Sequence, residues 1–129
     1  MVPLLPDTHV WARTIHASHR VSSRAADAIA RTDPVWACPA SFHGMGLKER
    51  KGRCATIGPY LPRPDGILAV QSGLTTPSTP EMCLHVGARR WDHDDPFDRM
   101  VASTAEPLDL TLVTEDGRLT ALLPDRTLW

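Results

Sequence analysis

Short apolar runs alternate with longer helical stretches along this chain, and two of the runs end on an aspartate just before a helix can start. Residues 2–5 lead to Asp7, and residues 110–114 lead to Asp116. Strands that alternate with helices build an α/β domain around a mainly parallel sheet. Sites in such sheets form outside the carboxyl ends of the strands. Residues 35–38 read as a second buried strand, with shorter ones near Leu74 and over 126–129. Helices are expected over 8–17, 22–31, 40–51, 65–72, from Thr79 onward, from Asp95 to Ala105, and after Asp116. Ser22, Thr79 and Asp95 are the capping residues, with Pro80 and Pro96 at first helical positions. Residues 54–66, rich in Pro and Gly, read as a surface loop, and Pro3 and Pro6 weaken the first strand because proline cannot donate to a ladder.

At 129 residues, the chain is expected to form a single domain over 1–129. Its 42% apolar and 22% charged residues are a globular balance. No apolar run approaches the ~18–20 residues a bilayer crossing needs. The start has no basic segment before Asp7, so neither a membrane nor a secreted protein is expected. Cys38, Cys54 and Cys83 are odd in number and form no C-x-x-C, which argues against a disulfide framework or structural zinc and suits a reducing cytoplasm. They read as small apolar fillers.

Charge is uneven. Residues 1–64 hold nine Lys/Arg against four Asp/Glu, whereas residues 65–129 hold five against eleven. The basic stretch Lys48, Arg50, Lys51 and Arg53, together with Arg13, is a candidate grip for a nucleic-acid backbone. A solvated helix face is the equal alternative for Lys48–Arg53. Asp7, Asp95, Asp98 and Asp116 stand at strand-to-helix junctions that a parallel sheet brings to one edge. Clustered carboxylates suit Mg²⁺ or Mn²⁺, whose preferred ligands are hard oxygens. A metal held there would activate water for attack on a phosphodiester. Each acid also has a structural reading: Asp7 and Asp95 as caps, Asp98 in a first helical turn, Asp116 in a turn before Gly117.

Residues 7–11, Asp-Thr-His-Val-Trp, resemble the D-T-H-x-W opening of PIN-domain proteins of the VapC toxin type. Residues 95–105 resemble that family's D-P-F-D-R-x-x-x-A-x-A segment, and 112–116 its L-V-T-x-D. Ala40-Ser-Phe with Leu47-Lys48 matches the frame of its A-S-x-W-E-I-A-x-K helix, and residues 127–129 its usual ending. The resemblance implies an α/β/α sandwich and a Mg²⁺- or Mn²⁺-dependent endoribonuclease that acts as a toxin, is neutralised by a cognate antitoxin and forms a homodimer. It puts Asp7, Asp98 and Asp116 on acidic metal-site positions, Asp95 on the flanking aspartate and Thr8 on the hydroxyl residue after the first acid.

One position departs from that pattern. Where the family presents W-E, this chain has His43-Gly44, so the second acid is absent. Glu49, five residues on and about 500° around a helix, faces elsewhere. Two readings follow: a ribonuclease running on three acids, or a degenerate domain that binds an antitoxin or RNA with little turnover. Gly44→Glu is expected to restore the ligand and, by removing a helix-interior glycine, to stabilise the helix by up to ~1 kcal/mol.

Overall fold

The computed structural model describes residues 2–53, 55–60, 62–63, 65–71 and 73–129. It is an α/β fold. In chain order it runs β1 (Leu4–Pro6), α1 (Thr8–His16), α2 (Ser23–Ala30), β2 (Val35–Ala37), α3 (Pro39–Arg50), α4 (Asp65–Gln71), β3 (Gly73–Thr75), α5 (Pro80–Ala88), α6 (Pro96–Ala105), β4 (Thr111–Val113), α7 (Gly117–Leu122) and β5 (Thr127–Leu128). Among the described residues every strand pairing is parallel: β1 with β4, β4 with β5, and β2 with β3. No described helix is long and apolar enough to cross a membrane.

The pairing falls into two sheets, β1-β4-β5 and β2-β3, although β1 and β2 lie side by side. Proline explains the break. Pro3 O accepts from Thr111 N at 2.9 Å and Asp7 N donates to Val113 O at 3.0 Å, so the odd-numbered positions of β1 bond β4. The even-numbered positions face the other way, toward β2, and there Pro6 has no N–H to offer.

Alternation along β1 builds the layers. Leu5 and its register partner Leu112 join Val101, Ala102 and Ala105 of α6 and Leu119 of α7 in one core cluster. Leu4 points to the other face and joins Val10 of α1, Ala25 of α2 and Val113. Helices therefore cover both faces of the β1-β4-β5 sheet. A third cluster joins Trp11 and Ala12 of α1, Ala37 of β2, Met45 of α3, Ile57 and Ile67.

The stretch expected to be a surface loop differs from that expectation. Residues Ala55–Tyr60 form a 3-10 helix, and Ile57 inserts into the third cluster at 3% exposure. Proline and glycine signalled the break from α3, but the single buried isoleucine decides that the segment packs. Cys38 is a buried filler as expected, Cys83 is exposed, and Cys54 lies outside the described residues, as does Ser72 at the end of the helix expected over 65–72.

Candidate functional site

Asp7, Asp95 and Asp116 are each the N-cap of the helix that follows, so the capping alternative holds for Asp7 and Asp95, and Asp116, read as a turn residue, is a cap as well. Asp7 Oδ1 accepts from Val10 N at 2.8 Å, Asp95 Oδ1 from Phe97 N and Asp98 N at 2.9 and 3.0 Å, and Asp116 Oδ1 from Arg118 N at 2.7 Å. A cap uses one carboxylate oxygen, leaving the second for other work. In Asp7 that second oxygen is also engaged: Thr114 donates its hydroxyl to Oδ2 at 2.5 Å. Thr114 Oγ1 in turn accepts from Asp116 N at 3.0 Å, so one buried hydroxyl ties the first acid to the backbone of the last. Thr114 lies inside the L-V-T-x-D motif, and its position two residues before the acid was the available signal.

Asp7 is 2% exposed. Burial pushes its carboxyl above the ordinary range, the bonds from Thr114 and Val10 pull the other way, and the charge of Asp98 adds to the rise. Asp98 is also raised, first by burial and then by Asp95 and Asp116, while the bond to His93 opposes. The acids thus share one edge of the fold and feel one another's charge.

His93 was not among the sequence candidates. Its Nε2 lies 2.7 Å from Asp98 Oδ2, and Arg118 Nη1 lies 3.2 Å from its Nδ1. A guanidinium only donates, so Nδ1 accepts and the Nε2–H faces the carboxylate. The histidine arrives there because of Arg99, the residue after Asp98. The buried Arg99 guanidinium donates to the carbonyls of Val86, Gly87, Arg89, Trp91 and His93, gathering the end of α5 and the segment after it around one fork. No spacing rule in the sequence pointed His93 at an acid five residues later.

An open cleft of about 610 Å³ lies beside two of the acids, lined by Asp7, His9, Arg13, Glu115, Asp116 and Arg118, and neither Asp95 nor Asp98 lines it. Arg13 bonds Glu115 at 2.5 Å across its mouth. Lys48, Arg50, Lys51 and Arg53 are elsewhere: Lys48 and Lys51 follow Gly44 by about 6 to 11 Å along the α3 axis at 1.5 Å per residue. Arg50, Lys51 and Arg53 are exposed and make no ion pair among the described residues. None of Lys48, Arg50, Lys51 and Arg53 lines the cleft, so the basic stretch and the acidic edge are separate.

Gly44 is buried where α3 crosses α1. A Cβ there would lie 2.7 Å from Thr8 Cγ2 and 3.7 Å from the Phe97 ring. Thr8 is held in place by a 3.0 Å bond between its Oγ1 and Ser41 Oγ. This corrects the expectation that Gly44→Glu stabilises α3, because the space beside Gly44 is already taken by the hydroxyl residue after the first acid.

Among the described residues, no three His, Cys, Asp or Glu side chains form a group that could hold a metal ion. The donor chemistry is right for Mg²⁺, since the acids are hard oxygens. The arrangement does not fit one as it stands, because Asp7 has both oxygens engaged, His93 occupies Asp98, and Thr8 fills the place beside Gly44. No protein-family model matches the chain, and no curated protein matches it.

Proposed function

We propose that this chain is a VapC-type, PIN-like domain that binds RNA across the cleft and the basic end of α3, and that cleaves it weakly. The observation that carries this reading is the contact at Gly44. Three acids remain on one edge, while the packing of Thr8 against Gly44 leaves no room for a fourth. Arg118 beside the cleft, with Lys48, Arg50, Lys51 and Arg53 beyond it, supplies positive charge for a phosphate backbone, and Arg13 joins them where a phosphate displaces Glu115 from it. The resemblance to VapC toxins adds a cognate antitoxin and a second copy of the chain as partners, and the cysteine pattern suits a cytoplasmic setting.

A second reading is a fully active Mg²⁺- or Mn²⁺-dependent endoribonuclease. It requires Thr114 and His93 to release Asp7 and Asp98 to a cation. Burial is the main cause of both raised carboxyls, and the smaller part that comes from neighbouring acids is what a cation would relieve. Titration of a labelled single-stranded RNA against the chain and against Arg118→Ala separates both readings from a domain that ignores RNA. Binding that weakens in the variant and falls steeply with salt supports them. Binding that is absent, or indifferent to salt, sinks them.

A further inference from the structure

At the opposite end of α6 from Asp98, a groove of about 500 Å³ separates α5 from α6. Glu81, Met82 and His85 of α5 form one wall, with Ser103, Glu106 and Pro107 opposite. Ser103 is 3% exposed, and its Oγ has no hydrogen-bond partner. A buried hydroxyl left unmatched is a cost to the fold, which a ligand that bonds to it would recover. Glu106 holds Arg89, whereas Glu81 makes no ion pair among the described residues. The C-terminal end of α6 adds its negative dipole to the same place.

The rim is apolar. α5 is rich in apolar residues, yet of its length only Val86 is buried. Leu84 is 76% exposed and sits about 60° around the helix from Glu81, so carboxylate and leucine are neighbours on one face. An apolar helix of this kind is normally covered.

We propose that the α5–α6 groove docks a basic, amphipathic segment of a protein partner. One Lys or Arg side chain of that segment enters beside Glu81 and donates to Ser103 Oγ, and aliphatic side chains on either side of it cover Met82 in the groove and Leu84 outside it. An anionic chain such as RNA meets the wrong charge here. The site is independent of the acidic edge and stands whether or not the chain acts on RNA.

The test uses the full ¹⁵N-labelled chain and three short capped peptides that alternate Leu with Arg, Leu with Glu, or Ser with Arg. The Leu–Arg peptide is expected to shift the amide resonances of residues 81–85 and 103–106, with the other two binding more weakly. Glu81→Lys should weaken it about tenfold, as for a lost hydrogen bond to a charged group. Ser103→Ala should weaken binding while leaving the melting temperature equal or higher, because the hydroxyl has no partner within the fold to lose. No binding, shifts mapping elsewhere, equal binding of the Leu–Glu peptide, or full affinity in Ser103→Ala would each overturn the proposal. So would a dimer in sedimentation that Glu81→Lys turns into a monomer, since the groove would then be covered by a second copy.

Discussion

The methyl of Thr8 stands 2.7 Å from where a Cβ of Gly44 would be, so α1 and α3 approach more closely than any residue but glycine allows. Intrinsic propensity favours alanine over glycine in a helix by up to ~1 kcal/mol. Overpacking a fixed contact costs about 1–3 kcal/mol, and the branched, hydrogen-bonded Thr8 has little freedom to yield. Gly44→Ala is therefore expected to lower stability. Thr8→Ser removes the methyl and keeps the bond to Ser41, and in that background Gly44→Ala should become neutral or stabilising. Denaturant unfolding of the four proteins of this cycle measures the coupling, and additive effects would show that the contact does not matter.

A carboxyl raised by burial makes stability depend on pH in a defined direction. Asp7 sits above its ordinary value of 3.8 in the fold, so the native state holds its proton more tightly than the unfolded chain does. The contribution of Asp7 to stability is then greatest below 3.8, falls as pH rises toward the native value, and stays level above it. Asp7→Asn should remove that fall. The variant is expected to gain stability relative to wild type near pH 7 and much less near pH 3, as read by melting temperature across that range. A gain of equal size at both ends would mean that the carboxylate charge is not the cause.

Arg99 binds five carbonyls with one planar fork, a task for which lysine is no substitute. An ammonium has three donors, so Arg99→Lys leaves carbonyls of the 86–93 segment unmatched. Each unmatched buried group costs about 1–3 kcal/mol, and a loss of roughly 2–4 kcal/mol is expected overall. The His93 ring resonances should move with it, because the fork also fixes the His93 carbonyl. A stable Lys variant with unchanged His93 signals would refute this role.

Much of the frame could be read from the chain itself. Ser22, Thr79 and Asp95 announced their helices because a side-chain cap is a local event, and each one bonds its own helix here. Asp7 and Asp116 could be placed at one edge because both follow strands of a parallel sheet. What stayed hidden depends on contacts between distant segments. Ile57 looked like part of a loop until Trp11 and Met45 supplied its surroundings. The bonds from Thr114 to Asp7 and from His93 to Asp98 depend on side chains meeting in three dimensions, and Gly44 looked like a helix defect because Thr8 lies 36 residues away in sequence.

The basic end of α3 has its own measurable signature. Replacing Lys48, Arg50 and Lys51 with alanine should weaken RNA binding and flatten its salt dependence by about 0.7 log units per lost phosphate contact on a single strand. Fold stability should change little, since Arg50 and Lys51 are exposed. An unchanged slope would assign this stretch to a solvated helix surface.

The most direct test of an RNA-binding domain with attenuated hydrolysis is to measure binding and single-turnover cleavage of one labelled RNA on the same samples. The chain and its Asp98→Asn variant are compared in Mg²⁺ and in Mn²⁺. The account predicts salt-sensitive binding by both proteins, slow cleavage by the wild type, and none by Asp98→Asn. Rapid cleavage by the wild type would contradict the claim of attenuation, and cleavage that survives in Asp98→Asn would remove the acidic edge from the chemistry altogether.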